Sequence, residues 1–413
     1  MKPKTGLLII TEDSPESYSP AGERVRHMAL ASCSFFGKVI VLASGGTKSQ
    51  SGRGVTSKAL LYAVSLAVRM PFPISAVFDP IKFLMFSVHG YLLSRHYKPS
   101  YVLASMPPFE IGASACFLAK LFGIKLIVDL RDDWEAAISS QLTRYVPFRL
   151  ISPLFKLATK IYSFSTGILA ITPTLVNTIR QRGIKTPVIL APNGADTSVF
   201  FPRRDDARRR IRSRYALPED RIVMVYCGSG INPYYRLDLI MSCLRSLPSY
   251  MEKKIFVVFY VYNRIDSLND LKDRLRIPGN LIEIRRPLPR SELAELMAAC
   301  DIGLVPFDDK SYLLYATSTK IFEYLSVGLY VISTGPKRGE LDSFFASNPI
   351  LGLLVPPTVE NLVRVFSKVA ESAAELFSND YTNLRHLFIK EKFDRKKVML
   401  KAIQTLWNDV LVG

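Results

Sequence analysis

The sequence is poor in the residues that build metal sites, disulfide frameworks and nucleophilic triads. Of its 413 residues only four are histidine and five are cysteine. The histidines are scattered, and no group of His, Cys and carboxylate residues has the spacing of metal ligands. The cysteines are odd in number, widely spaced and without a Cys-x-x-Cys pair, which predicts buried free thiols in a reducing compartment. Neither a Ser–His–Asp order nor a Walker phosphate loop is present.

A long uninterrupted apolar segment is missing as well. The most apolar stretch, residues 59–78, is broken by Arg69, Pro71 and Pro73, so it does not predict a spanning helix. The short apolar run at the amino terminus is followed at once by acidic residues, which predicts a first β-strand rather than a secretory signal. We therefore expect a cytoplasmic protein.

Acidic residues are too few to balance the basic ones. Asp and Glu total 36 against 54 Lys and Arg, a formal net charge of +18. Such a chain is attracted to nucleic acid, anionic membrane or phosphorylated small molecules, and a solvated basic surface is the simpler alternative. No RNA-binding motif with interleaved aromatic and basic residues occurs, so no nucleic-acid partner is expected.

Short apolar runs alternate with helical patterns through both halves of the chain, whose length favours two or three domains. The pattern predicts strands at residues 7–11, 38–43, 101–104, 125–129, 167–171, 188–191, 222–227, 254–262, 281–284, 302–305, 330–333 and 352–355. Nearly continuous apolar strands separated by helices indicate parallel sheets covered on both faces. The predicted fold class is therefore α/β, with two parallel-sheet halves of similar size.

The domain boundary is predicted where turn formers meet a charged segment. Pro192, Asn193 and Gly194 form a turn, and an arginine-rich stretch follows at residues 203–214. A solvated linker helix is the simpler interpretation of that stretch, and a phosphate- or membrane-binding patch is the alternative. We expect domains at residues 1–195 and 196–390, with residues 391–413 forming a helix that crosses back to the first domain.

Two polar clusters lie at predicted strand ends in the first half, where α/β sheets bind ligands. Gly22 and Arg24 open a helix after the first strand, so the backbone and a fixed charge could meet an anion there. Asp129, Arg131 and Asp132 directly follow an apolar strand. They predict either an active-site wall or an internal ion network.

One further cluster closes the first domain, and another follows the first strand of the second half. Asn193 lies in the boundary turn, where it either forms that turn or lines a cleft. Gly228 and Ser229 belong to a glycine-rich strand-to-helix turn whose amides could hold phosphate, with Arg236 near enough to neutralise charge.

The most informative cluster begins a short helix in the second half. The amides of Thr317, Ser318 and Thr319 can hold a diphosphate, and Ser318 suits a helix cap. Lys320 in the first turn and Glu323 one turn later share a face, so a cation near phosphate and a carboxylate that accepts two ribose hydroxyls would grip a nucleotide. A cation early in a helix opposes the helix dipole, which indicates a ligand. A capped helix with an internal Lys–Glu contact is the alternative.

In this order the clusters resemble glycosyltransferase family 4, over nearly the whole chain. Residues 320–325 with Gly328 are similar to the Pro-x-Lys-x-x-Glu-Tyr segment of that family. Residues 192–196 with Phe200 are similar to its Asn-Gly-Val-Asp-x-x-x-Phe segment, and residues 129–134 to the Asp-x-Arg-Asp-x-Trp of one branch.

The sequence departs from the family pattern at two places beside the lysine. Tyr315 stands where many members carry a first glutamate, and Ser318 stands where proline is usual.

The resemblance implies the GT-B fold, two Rossmann-like domains facing an interdomain cleft, and a retaining, metal-independent transfer of a hexose-like sugar. The nucleotide sugar is a substrate, and no cofactor is expected. The implied acceptor is a glycan or a lipid-linked glycan. Residue motifs and resemblance together give the donor-binding candidates Gly22, Arg24, Asn193, Gly228, Ser229, Thr317, Ser318, Thr319 and Glu323. The catalytic candidates are Asp129, Arg131, Asp132, Arg236 and Lys320.

Three other expectations remain open at this point. A sugar-nucleotide epimerase could use the same scaffold, and a non-catalytic polyanion-binding protein could share its charge. The basic and apolar region 59–97, with Lys82, Arg95 and Lys98, predicts peripheral docking on an anionic membrane at its cytoplasmic face.

Overall fold

The computed structural model describes residues 5–17, 19–44, 59–64, 78–142 and 147–412. The chain divides into two compact units, each with its own sheet and core. Unit 1 comprises Met1–Pro192 with Arg395–Gly413, and unit 2 comprises Asn193–Asp394.

Unit 1 contains a seven-stranded parallel sheet. Its strands are β1 (Gly6–Thr11), β2 (Lys38–Ser44), β3 (Ala59–Val64), β4 (Tyr101–Met106), β5 (Lys125–Leu130), β6 (Gly167–Ala170) and β7 (Val188–Leu190). They are ordered β3-β2-β1-β4-β5-β6-β7, and every neighbouring pair is parallel. The strand order reverses between β1 and β4, and ligands of open α/β sheets bind outside the carboxyl ends of the strands at such a point.

The helices of unit 1 cover both faces of this sheet. They are Pro20–Ser32, Pro80–Tyr97, Phe109–Phe122, Trp134–Leu142, Phe148–Phe164, Pro173–Gln181 and Arg395–Leu406, with a π-helical turn at Trp407–Val412. Alternation along β1 separates the two cores, because Leu8 and Ile10 pack on one face of the sheet and Leu7 and Ile9 on the other. All four side chains are fully buried. The strand therefore reads as a continuous apolar run.

Unit 2 repeats the plan with six parallel strands. They are β8 (Ile222–Gly228), β9 (Ile255–Val261), β10 (Ile282–Arg285), β11 (Ile302–Pro306), β12 (Tyr330–Thr334) and β13 (Gly352–Val355), in the order β10-β9-β8-β11-β12-β13. Its helices are Asp205–Arg214, Leu237–Arg245, Ser249–Glu252, Ile265–Arg274, Arg290–Ala298, Thr319–Ser326, Glu340–Ala346, Val359–Glu371, Ala373–Leu376 and Asn379–Lys392, with a 3-10 turn at Ser311–Tyr315. The reversal point here lies between β8 and β11.

The two parallel sheets confirm the predicted α/β class, and all twelve predicted strands are present. Strand β3 was not predicted, because the sequence analysis treated residues 59–78 as one apolar stretch and not as a strand followed by other structure. Residues 65–77 of that stretch lie outside the described residues. Within the described ranges, no helix is both long and apolar enough to cross a bilayer. All five cysteines are buried, and none forms a disulfide.

The arginine-rich stretch contains a helix, but two of its arginines bind inside unit 2 rather than facing solvent. Arg212 is buried and donates to Asp301 Oδ2 at 2.6 Å, and Arg208 donates to Asp301 Oδ1 at 2.7 Å. Charge-assisted bonds of this length stabilise a fixed docking of the helix. The expectation of a solvated linker is therefore wrong for these two residues.

Candidate functional site

At the carboxyl edge of the sheet in unit 1, the charged candidates bind one another. The Arg24 guanidinium contacts both oxygens of Asp129, with Nη2 2.6 Å from Oδ1 and Nε 3.1 Å from each oxygen. Ser105 donates to Oδ2 at 2.9 Å, and Arg24 Nη1 donates to the Ala191 carbonyl at 2.9 Å. Arg24 and Asp129 are 4% and 0% exposed. This pair is a satisfied internal network, so neither charge faces solvent where a ligand would meet it.

Gly22 permits a close approach, and the group that approaches it is the chain itself. A Cβ at this position would lie 2.3 Å from Ser17 Oγ and 2.4 Å from the Ser14 carbonyl oxygen. Ser19 caps the same helix by accepting from the Gly22 amide at 3.0 Å. The loop after β1 therefore packs on the first turn of the helix Pro20–Ser32, where the sequence analysis predicted an anionic ligand.

Arg131 fixes the neighbouring loops. Its Nε donates to the Met106 carbonyl at 3.2 Å, its Nη1 donates to Asp13 Oδ2 at 3.2 Å, and its Nη2 donates to the Pro107 carbonyl. The loops after β1, β4 and β5 are thus tied together by one guanidinium. Arg131 holds this edge of the sheet in shape.

Asp132 is the carboxylate of the predicted wall that reaches solvent. Its side chain is exposed. The surrounding protein nevertheless reduces its hydration enough to raise its pKa to about 6, an effect that Arg131 and Arg24 oppose. Of Asp129, Arg131 and Asp132, it is the residue whose side chain is exposed to solvent.

The carboxyl edge of unit 2 brings together candidates that are far apart in sequence. Lys320 Nζ donates to Tyr235 Oη at 3.0 Å and lies 4.2 Å from the centre of the Tyr235 ring. Gly228 has a φ of +153°, and a Cβ there would lie 2.6 Å from Lys320 Cε and 2.9 Å from Nζ. Gly228, at the end of β8, and Lys320, in the helix that follows β11, therefore meet at the reversal point between these two strands.

Tyr235, which the sequence analysis missed, builds the support for this lysine. It forms an isolated bridge with Phe307 and stacks on that ring with centroids 5.0 Å apart and planes at 11°. The Tyr226 ring centroid lies 5.5 Å from the ammonium, and the Tyr226 hydroxyl donates to the Ser229 carbonyl at 2.7 Å. Aromatic faces attract a cation without neutralising it. Among the described residues, no carboxylate lies within ion-pair distance of Lys320.

The amino end of the helix Thr319–Ser326 completes the cluster. Ser318 caps it by accepting from the Lys320 amide at 3.4 Å, and its hydroxyl lies 3.1 Å from Tyr235 Oη. Asn193 Nδ2 donates to the Thr317 carbonyl at 3.3 Å. The buried Thr317 Oγ1 has no hydrogen-bond partner in the described part of the chain. A helix start of this kind presents positive partial charge and donor groups to an anion.

Glu323 lies one turn further along the helix, and its charged neighbour is Arg290, which the sequence analysis also missed. Arg290 Nη2 lies 3.8 Å from Glu323 Oε1, and the guanidinium lies 5.2 Å from the centre of the Phe200 ring. The carboxylate is 17% exposed. The signal for Arg290 was its place at the start of the helix Arg290–Ala298, which follows β10 at the same end of the sheet.

Arg236 is held at the rim by two carboxylates. Its Nη2 lies 2.8 Å from Asp238 Oδ2 and its Nη1 3.3 Å from Asp308 Oδ1. The hydrogen bonds to Asp238 are the main cause of a raised pKa of Arg236. With both partners present its charge is largely compensated, in contrast to that of Lys320.

Asn263 orders the remainder of the glycine turn. Its Oδ1 accepts from the Gly230 amide at 2.7 Å and from Ser229 Oγ at 3.2 Å. The site in unit 2 therefore combines a turn with positive φ, a capped helix start, an uncompensated cation and a carboxylate. That combination can bind a diphosphate together with a diol. No group of three or more His, Cys, Asp or Glu residues able to hold a metal ion occurs within the described ranges.

Comparison with known proteins identifies the fold. No family model matches the sequence, and no curated protein matches it. Sucrose-phosphate synthase from Thermosynechococcus elongatus matches with a TM-score of 0.76 at 12% identity, over 99% of each chain. WaaG, a glycosyltransferase involved in lipopolysaccharide biosynthesis, matches with 0.70 at 13% identity, over 98% of this chain and 100% of that one. HepE from Anabaena, solved with UDP and glucose, matches with 0.67 at 13% identity, over 97% and 99%.

An enzyme of another class shares the scaffold. UDP-GlcNAc 2-epimerase from Neisseria meningitidis, bound to UDP-GlcNAc, matches with a TM-score of 0.58 at 15% identity, over 98% of this chain and 100% of that one. At such identities the likeness establishes the fold alone. The predicted fold class is thereby confirmed: two Rossmann-like parallel-sheet domains of the GT-B type.

Proposed function

We propose that this chain is a retaining, metal-independent glycosyltransferase that moves a sugar from a nucleotide-sugar donor to a glycan or lipid-linked acceptor. One observation carries the proposal. The Lys320 ammonium is held by tyrosines against the Gly228 turn, beside a capped helix start and without a carboxylate partner among the described residues. An uncompensated cation in such a place is suited to an anionic ligand.

The donor diphosphate is proposed to bind at the turn Gly228–Ser229 and at the amides of Thr317, Ser318 and Thr319. As the bond between the anomeric carbon and the phosphate oxygen breaks, negative charge grows on the leaving diphosphate. Lys320 and the helix start stabilise that charge, with Arg236 contributing from the rim. The acceptor hydroxyl attacks from the same face and forms the new C–O bond, while its proton passes to the leaving phosphate oxygen.

Glu323 is proposed to accept hydrogen bonds from the two ribose hydroxyls. Arg290 lies 3.8 Å from its carboxylate and orients it in the unliganded protein. A carboxylate that accepts two hydroxyls makes strong charge-assisted bonds, so this residue supports donor affinity. Asn193 fixes the Thr317 carbonyl and so the entry to the helix.

In unit 1 the buried Asp129 is proposed as a positioning residue. It holds Arg24 and Ser105, whereas Arg131 holds three loops. Asp132, exposed and with a raised pKa, is proposed to face the acceptor. Gly22 and Arg24 would act on the donor only through the loop that packs on them.

The neighbours favour this proposal over its rivals. HepE was solved with UDP and glucose, which supports a uridine-nucleotide donor, and WaaG acts in lipopolysaccharide biosynthesis, which supports a lipid-borne acceptor. The epimerase likeness supports a second candidate, inversion at C2 of a UDP-sugar. Incubation of the donor without acceptor separates the two, because only an epimerase returns an altered sugar nucleotide.

The decisive experiment measures donor binding by thermal shift with UDP-, GDP- and ADP-sugars, since a bound ligand stabilises the folded state by mass action. We expect one nucleotide class to raise Tm in the native protein. Lys320→Met should remove most of that shift and lower kcat/KM by about 100-fold. Lys253→Met is the matched control, because Lys253 is exposed and lies just before β9, at the amino ends of the strands.

Two results would overturn the proposal. One is the absence of any donor-dependent shift, especially if RNA binds in a salt-sensitive manner instead. The other is a Lys320→Met variant that binds and turns over donor as well as the control does.

A further inference from the structure

Unit 1 exposes apolar side chains in regular rows on three helices, and the sheet core does not account for them. On Pro80–Tyr97, Leu84, Val88 and Leu92 are 62%, 46% and 56% exposed. They are spaced four residues apart, so they form one stripe along the helix. Eight of the 18 exposed large apolar side chains among the described residues lie on these three helices. Such a concentration is unusual for a surface that meets only water.

The neighbouring helix Phe109–Phe122 continues the stripe. Phe117 and Leu121, also four residues apart, are 45% and 51% exposed. The Phe117 ring meets that of Phe83 edge-on, with centroids 6.4 Å apart, which places the two helices side by side. The apolar surface therefore extends across both helices.

The helix Phe148–Phe164 adds the third row. Leu157 and Phe164 are 45% and 46% exposed. Lys120 Nζ lies 5.3 Å above the Phe164 ring, so this helix borders Phe109–Phe122 on its other side. We call the exposed side chains of the three helices the apolar face.

Charge on the apolar face is of one sign. The three helices contain a single acidic residue, Glu110, which is buried. Lys82 is paired with Glu12. The remaining cations are Arg95, Lys120, Arg149, Lys156 and Lys160. Apolar rows interspersed with cations complement a surface that offers hydrocarbon and negative charge together.

We propose that the apolar face docks unit 1 on an anionic lipid bilayer. The apolar rows enter the boundary between headgroups and acyl chains, while the lysines and arginines meet anionic headgroups. The partner surface thus includes helices well beyond the region 59–97 suggested by the sequence. This inference extends the proposed function toward a membrane-borne acceptor, but it rests on exposure and charge and does not require catalysis.

The test is flotation of the 413-residue protein with vesicles of phosphatidylcholine alone and of phosphatidylcholine with about 30 mol% phosphatidylglycerol, which supplies anionic headgroups. We expect binding to the anionic vesicles only, weakened at high salt. Phe117→Gln with Leu121→Gln should lower the partition coefficient at least about tenfold. Lys156→Glu with Lys160→Glu should lower it about fivefold or more per residue.

Matched controls carry the same changes elsewhere. Leu384→Gln with Leu387→Gln alters two equally exposed leucines on a helix of unit 2, and Lys253→Glu with Arg209→Glu reverses two exposed cations there. Both controls should bind vesicles like the native protein. Thermal melts and donor-induced Tm shifts show that every variant is folded, and they keep a failure of this inference distinct from a failure of the proposed function.

Absence of binding to anionic vesicles would overturn the inference, as would equal binding by face and control variants. Self-association gives a different pattern. If the native protein is a dimer by light scattering and the Phe117 and Leu121 changes make it a monomer without affecting vesicle binding, the apolar face belongs to a second copy of the chain.

Discussion

The two units have the same plan, yet the edges that would meet ligands differ in how their charges are satisfied. In unit 1, Arg24 and Asp129 neutralise each other at a buried site, with Ser105 and a carbonyl completing their bonds. In unit 2, Lys320 has tyrosine neighbours and lies against a glycine. A buried charge that is paired destabilises the fold when its partner is removed, whereas a charge held without its opposite is available for a ligand.

Sequence alone could not make this distinction, because both edges show a charged cluster after an apolar strand. What separates them is which partner reaches each group across the sheet. Arg24 and Asp129 are 105 residues apart, and no local pattern joins them. The contrast predicts stability effects in unit 1 and binding effects in unit 2.

The largest expected effect is loss of stability on removing the carboxylate of unit 1. Asp129→Ala leaves the Arg24 guanidinium buried without its counter-charge, so we expect the free energy of unfolding to fall by about 3–5 kcal/mol. Urea unfolding measures it. The double variant Arg24→Met with Asp129→Leu should recover most of the loss, because no uncompensated charge remains. A single variant as stable as the native protein would contradict the structural role.

The second expected effect is a pH dependence of stability that comes from Glu135, a carboxyl group of unit 1. Glu135 is buried, and desolvation raises its pKa to about 7 although Arg182 opposes the shift from 3.2 Å. The folded state thus binds this proton more tightly than the unfolded state does. Stability from this group is present at low pH and is lost as pH rises from about 4.5 through 7.

Glu135→Gln removes this dependence. Between pH 5 and pH 8 the native protein should lose about 2–3 kcal/mol of stability relative to the variant. Urea unfolding at several pH values, compared between the two proteins, isolates the contribution. Parallel curves for the two proteins would show that the buried carboxyl is not protonated in this range.

Much of the fold and part of the site were within reach of sequence reasoning. Twelve strands followed from apolar runs, and the motifs located Gly228 and Lys320, which the structure places in contact. Tyr235 and Arg290 were missed, because each acts through a partner distant in the chain. The position of Arg290 at the start of a helix after β10 was its only local signal. The local sequence around Gly22 predicted that a ligand approaches the backbone there, but the loop from Ser14 to Ser17 fills the space beside Gly22. Such packing is tertiary information.

Gly228→Ala sharpens the comparison from the side of unit 2. The added Cβ meets the Lys320 side chain and strains a backbone with positive φ. We expect donor affinity to fall roughly 30-fold, about 2 kcal/mol, because the ammonium is displaced from the turn. Gly183→Ala also places a Cβ at a positive φ, +76°, with no neighbour within 4 Å, and should lose stability only. Unchanged donor affinity in Gly228→Ala would argue that the turn does not hold the diphosphate.

The smallest expected effect is on donor binding, and it distinguishes the role of Glu323 from that of Arg290. Glu323→Gln should weaken donor binding about tenfold, or about 1.4 kcal/mol, since the ribose hydroxyls lose a charged acceptor. Arg290→Met should change it less, because Arg290 holds the carboxylate and does not itself meet the ribose in this proposal. Titration calorimetry with the nucleoside diphosphate measures both. If Arg290→Met weakens binding as strongly as Glu323→Gln, the guanidinium itself contacts the donor, and unit 2 would then present two cations to the nucleotide rather than Lys320 alone.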